Sequence, residues 1–326
     1  MINIQNHPPI YPWMSLSELK FRKNAYKYLI TAKAQGILPG QRLKSIFFFP
    51  SGENSVVSKI TTEQKPFVVK MRKDIGILEI EKTFLNEWSK QNVTTPKILT
   101  SHTSNKNLPV SILILEYINA PLLSDAMNPS EMLKKGITRK LGSILANMHK
   151  AKGEGFGIPR IENNTRGKFD TFSEYIETNL FKEKLPWLVK KGILTQKSII
   201  FAQKAVTIIE ADIESGTLPS LIHNDFGPYN IFYTRPLTVF DPIPEINHPS
   251  LCLASLLLRH LIDSSDKSTE KEIQKEKDEV LNGYRKITPI SDLVIMSGSI
   301  LKSLIILSRW QKKHKHQKIK LLSKKN

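Results

Sequence analysis

The chain has 326 residues, 40% of them apolar and 24% charged, which excludes a disordered or fibrous protein and supplies enough core for one large domain or two lobes. Its single cysteine, Cys252, excludes an intramolecular disulfide and a cysteine-built zinc site. The net charge is +18, of which the seven lysines from Lys312 onward leave +11 for the rest, so the surface attracts anions without choosing among nucleotides, nucleic acid and acidic lipid.

Residues 1–12 lack a basic region followed by an apolar run, so no secretory signal is expected. The apolar run 293–307 is too short to span a bilayer and is edged by Asp292 and Lys302. A cytoplasmic, reducing location fits both. In chain order, residues 15–34 read as a helix ended by Gly36, Pro39 and Gly40. Extended runs follow at 46–49, 56–60 and 67–71. Residues 75–91 read as a helix with Ile77, Ile80, Phe84, Leu85 and Trp88 roughly on one face, and 96–99 and 110–117 as two more strands.

Beyond Pro121 the pattern becomes helical, at 137–149, 169–181, 195–214, 248–262, 270–284 and 293–310, interrupted by one strand pair at 231–233 and 238–240. Strands first and helices later predict an α+β chain of two segregated lobes. The boundaries are a lobe at 1–118, a helical lobe at 119–310 and a basic tail at 311–326. The tail lacks apolar periodicity, is expected to be disordered, and is expected to touch anionic surfaces.

The string His223-Asn-Asp225-Phe-Gly-Pro-Tyr-Asn230, with Asp241 eleven residues on, is the main chemical signal. Phosphoryl transfer needs a carboxylate to orient a hydroxyl and take its proton, and oxygen ligands to hold magnesium on the phosphates. An Asp, an Asn and a second Asp beyond a short strand pair supply those groups. The plainer alternative is that Asp225 caps a turn, Asn230 sits in it and Asp241 ends a strand before Pro242.

The order of these features resembles the aminoglycoside phosphotransferase family, which has fructosamine, choline and homoserine kinase relatives and shares the two-lobed protein-kinase-like fold. The resemblance covers roughly residues 51–284 and implies ATP and Mg2+ as cofactors, with Asp225 as catalytic base and Asn230 and Asp241 as magnesium ligands. It implies that Lys70 grips the α- and β-phosphates, steadied by a carboxylate from the 75–91 helix; Glu81 is the first choice, with Glu79 and Glu87 open. Ser51, Gly52, Asn54 and Ser55 would form the nucleotide-covering loop, for which an ordinary hairpin is an equal alternative. Glu116 to Ile118 would meet adenine through backbone groups, and His149 reads as structural. His314 and His316 read as a solvated tail.

Gly227 stands where protein kinases carry a lysine, which favours a small-molecule hydroxyl acceptor over a protein, and residues 153–216 are expected to set its specificity. Two other readings stay open: a nucleotide-binding pseudokinase that regulates a partner, and a basic adaptor for nucleic acid or membrane. No nucleic-acid module is recognisable, so no specific nucleic-acid partner is expected. An aminoglycoside acceptor is not expected, because the protein repels polycations on average. The counter-argument is local: Glu174, Glu177, Glu210, Asp212, Glu214 and Glu245 would override the average charge if they gathered at one rim.

Overall fold

A computed structural model describes residues 2–40, 42–263 and 269–322, with side chains given for 2–40, 42–258 and 269–308. The chain forms two compact units: Met1–Ser89 with Thr94–Pro121 and Phe232–Asp241, and Lys90–Val93 with Leu122–Ile231 and Pro242–Asn326. The α+β class expected from the sequence is observed, with a small mixed sheet in the first unit and mostly helices in the second.

In the first unit, β1 (Asn3–Gln5), β2 (Leu43–Phe48), β3 (Val56–Thr62), β4 (Phe67–Arg72), β5 (Ile98–His102) and β6 (Ser111–Glu116) form one sheet in the order β1-β2-β3-β4-β6-β5. Among the described residues of this sheet, the one parallel pairing is that of β1 with β2. In β3, Val56, Ser58, Ile60 and Thr62 are buried and alternate with half-buried residues, the period-two pattern of a strand with one packed face. That face joins Phe21, Leu29, Ile46, Val69 and Ile112 in a single core. Two helices precede β2, α1 (Leu16–Lys23) and α2 (Ala25–Ala34), where the sequence predicts one. The break falls at Asn24, whose side-chain amide donates to Lys20 O at 2.8 Å and competes with the helical ladder. Helix α3 (Ile77–Lys90) buries Leu78, Ile80, Glu81, Phe84, Leu85 and Trp88 along one stripe.

In the second unit come α4 (Leu123–Ala126), α5 (Pro129–Lys134), α6 (Ile137–Met148), β7 (Phe156–Pro159), β8 (Gly167–Phe169), α7 (Phe172–Ile176), α8 (Lys184–Lys190), α9 (Gln196–Glu214) and β9 (Ser220–His223). After β10 (Ile231–Phe232) and its partner β11 (Thr238–Val239) follow β12 (Pro244–Asn247), α10 (Pro249–Asp263), α11 (Glu270–Arg285) and α12 (Asp292–Leu322). A four-stranded sheet, β8-β7-β12-β9, was not expected from the sequence. The helix predicted from 169 starts at Phe172 because 167–169 are taken by β8, and it continues after Ile176 as a π turn over Glu177–Phe181. The last helix does not stop at Trp310, so the segment expected to be disordered from 311 is helical to Leu322. The side chains of His314 and His316 lie outside the described residues. Among the described residues no helix is long and apolar enough to cross a membrane.

Helices α6 and α11 approach so closely that a Cβ at Gly142 would lie 2.0 Å from Val280 O, and one at Gly283 would lie 1.9 Å from Arg139 O. Both neighbours are backbone and cannot step aside. Gly142→Ala is therefore expected to cost about 1–3 kcal/mol by overpacking; an unchanged urea midpoint would contradict that reading.

His149 ends α6 fully buried, bonded through Nδ1 to Tyr284 Oη at 2.8 Å. Burial first, and the charge of Lys152 next, push its pKa down to about 3, so the folded state holds it neutral. The unfolded chain takes up that proton below about pH 6.5, so stability falls as pH drops from there toward 3. Between pH 7 and 5.5 the loss from this residue is about 1 kcal/mol, and His149→Gln is expected to remove it from the pH profile of urea unfolding.

Candidate functional site

The first unit carries a buried ion cluster. Lys70 sits on β4 between Val57 of β3 and Leu113 of β6, so its side chain emerges from the middle of the sheet. Its Nζ donates to Glu81 Oε2 at 2.7 Å, and both residues are buried. It also bonds the Asp241 carboxylate. Glu79 instead pairs with Lys82 at 2.9 Å, which separates two of the three candidate carboxylates on α3. Burial opposes the charge on Lys70, but Asp241 and Glu81 more than offset it, so its pKa is raised and it stays protonated. Burial pushes the Glu81 carboxyl above the usual carboxylate range, with Lys70 pulling the other way.

Asp241 directly follows the β10–β11 pair and has φ of 52°, a left-handed conformation uncommon outside glycine, asparagine and aspartate. Its side chain is 52% exposed. Held there, it offers a carboxylate edge to solvent while bonding Lys70.

Residues 49–55 join β2 to β3 irregularly, with 51–55 as the loop, and Val57 lies opposite Lys70, so the loop ends beside the ion cluster. Gly52 has φ of 129°, and a Cβ there would lie 2.8 Å from Ser55 O. This position needs glycine on both counts. At the end of β6, Glu116 is not a free hinge residue: its N–H donates to Lys97 O at 2.9 Å and its Oε1 accepts from Lys97 N at 2.8 Å. An open pocket of about 890 Å³ lies here, lined by Lys59, Lys97, Leu99, Glu116 and Tyr117 among others, with the Lys59 ammonium 3.9 Å above the Tyr117 ring.

The second unit holds the other half of the motif. Asp225 follows β9, and Asn230 closes a single 3-10 turn over Pro228–Asn230. The Asn230 Nδ2 donates to Asp225 O at 2.8 Å and to Asp225 Oδ2 at 2.9 Å. This double bond locks the loop and the carboxylate together. With its nitrogen engaged, Asn230 keeps Oδ1 as the acceptor atom.

Residues to which the sequence assigned no part in the site support this loop. Asn224 bonds the Glu245 carboxylate through Nδ2 and receives a bond from the Lys302 ammonium on Oδ1. Glu245 also accepts from Asn247 Nδ2 at 2.9 Å, and all four residues are buried. Lys302 reads in sequence as a charge at the edge of an apolar run, and nothing local signals its burial. Arg22, buried on α1, was likewise missed; only its spacing from Glu18 was a signal.

Magnesium takes carboxylate and amide oxygens. The exposed Asp241 carboxylate in the first unit and the Asn230 Oδ1 in the second are each a donor of that kind, so each fits the cation by its chemistry.

A model of the phosphotransferase enzyme family matches residues 46–242. No curated protein matches the chain. Among solved structures, a microcompartment-associated aminopropanol kinase is similar at a TM-score of 0.55 and 16% identity, covering 86% of this chain and 88% of that one. A fructosamine-3-kinase-like protein of Thermobifida fusca is similar at a TM-score of 0.51 and 16% identity, over 86% and 98%. An aminoglycoside phosphotransferase in ternary complex with AMP-PNP and hygromycin B is similar at a TM-score of 0.50 and 12% identity, over 86% and 97%. The fold is that of these kinases, and the family match covers well over half the chain: it belongs to the phosphotransferase enzyme family.

Proposed function

We propose that this protein transfers the γ-phosphate of ATP, bound with Mg2+, to a hydroxyl of a small molecule. The observation that carries the reading is the Lys70 ammonium held between buried Glu81 and exposed Asp241. Lys70 grips the α- and β-phosphates, and the 118 amide in the segment after β6 meets adenine. Asn230 and Asp241 would hold the cation, which when bound would neutralise phosphate charge. Asp225 accepts the proton of the acceptor hydroxyl as its oxygen bonds the γ-phosphorus, and the bond to the β-phosphate oxygen breaks with its electron pair leaving on ADP. The AMP-PNP in a solved structure of similar fold supports the choice of nucleotide.

The acceptor we favour is neutral or anionic. Besides the net charge of +18, four of the carboxylates that would have to attract a polycation have structural partners: Glu174 caps α7, Glu210 receives Ser173 Oγ, Asp212 holds His248 and Glu245 serves Asn224. Kanamycin-like compounds are expected to be turned over worse than neutral and anionic sugars; efficient turnover of the polycation alone would overturn the assignment.

Thermal melting tests the nucleotide step. Mg-ATP at 100 times its dissociation constant stabilises by about 2.7 kcal/mol, which for a chain of this size raises the melting temperature by roughly 4 °C. No rise at saturating Mg-ATP would leave the basic adaptor as the better reading, and a rise without turnover would favour the pseudokinase.

A further inference from the structure

Arg22 belongs to the segment ahead of the family match, which begins at residue 46. Its side chain is fully buried and uses three edges at once. Nε donates to Glu18 Oε1, Nη1 to Pro9 O and Nη2 to Glu53 O, each at 2.9 Å. Glu18, four residues back on α1, supplies the counter-charge. The Glu53 carbonyl lies at the tip of the 51–55 loop, thirty-one residues away. The same helix is tied to the exit of β4, where Lys73 Nζ donates to Ser17 Oγ at 2.8 Å. One short helix thus braces both the loop and the strand that carries Lys70.

The bond to Glu53 O has a directional consequence. The only cis peptide among the described residues is Arg235-Pro236, so the Glu53–Asn54 peptide is trans. In a planar trans peptide the C=O and N–H point in opposite directions. Fixing Glu53 O on Arg22 therefore turns the Asn54 N–H away from α1 and holds it there as a donor. The next turn of the loop is fixed by Gly52, whose missing Cβ allows Ser55 O to approach. The loop runs into Val56, one residue before Val57, which lies opposite Lys70, so the loop that carries this donor ends beside Lys70 on the adjacent strand.

We propose that Arg22 is a positioning residue for the nucleotide: it sets the Glu53–Asn54 peptide so that the Asn54 amide is presented to a phosphate. This rests on the kinase reading above. A guanidinium suits the task because it donates from three separate nitrogens in a rigid plane, whereas the three donors of a lysine ammonium all radiate from one atom.

The test is calorimetric titration of the full chain with Mg-ATP and, separately, with adenosine, for the wild type, Arg22→Ala and Arg22→Lys. Arg22→Ala is expected to weaken Mg-ATP about tenfold, the worth of one charge-assisted hydrogen bond, while adenosine changes less than about twofold. Arg22→Lys is expected to fall between. Circular dichroism establishes that each variant is folded, and if the alanine variant is not, the lysine variant decides by the same contrast. Equal loss of Mg-ATP and adenosine would overturn the inference by assigning Arg22 to general stability. Unchanged Mg-ATP binding would overturn it while leaving the kinase reading intact. A wild type that binds neither ligand would overturn the kinase reading itself, and this inference with it.

Discussion

Asp225→Asn is expected to lower phosphate transfer by at least about a hundredfold, the scale of a lost acid–base group, while the protein stays folded. The substitution keeps the shape of the side chain and removes its capacity to accept a proton. Asn230 still finds Asp225 O at 2.8 Å, so the loop keeps one of its two bonds. Mg-ATP binding is expected to change little, since Lys70, Glu81 and Asp241 are untouched. Comparison of single-turnover transfer with equilibrium binding separates the two. Near-normal transfer by the variant would remove Asp225 from the base role.

The second large effect concerns stability as well as activity. Lys70→Met is expected to abolish nucleotide grip and to cost about 3–5 kcal/mol, because it strands the Glu81 carboxylate in the interior. Replacing both members with apolar groups leaves nothing stranded. The double variant Lys70→Met with Glu81→Leu is therefore expected to recover most of the stability and none of the activity. Urea unfolding of the wild type, both single variants and the double variant measures the coupling. If the single and double variants unfold alike, the buried pair is not the electrostatic unit described above.

How far these residues were legible in the sequence depends on how local their partners are. Asp225 and Asn230 are five residues apart and bond each other, so a short string exposes them. Lys70 directly follows the apolar run 67–69, and Glu81 lies on the buried face of α3 set by Phe84, Leu85 and Trp88, so periodicity singles it out from Glu79 and Glu87 once that face is known. The long helices of the second unit follow from the same periodicity.

What was not legible has the opposite character. Arg22 finds its carbonyl partners 13 and 31 residues away, and Lys302 finds Asn224 78 residues away. Main-chain carbonyls carry no residue-specific signal in a sequence. Strands β7, β8, β9 and β12 are three or four residues long and contain glycine or proline in three cases, so neither length nor alternation marks them. They form because each finds a partner strand, and pairing is not encoded in any one segment.

The most direct test of the central claim is phosphorus NMR of the enzyme with Mg-ATP and a panel of neutral, anionic and cationic hydroxyl compounds. The account predicts a new phosphomonoester signal with at least one neutral or anionic acceptor, rising one for one with ADP and absent from the Asp225→Asn reaction. Binding of Mg-ATP with no phosphomonoester from any class of hydroxyl, or a signal undiminished in the variant, would contradict it.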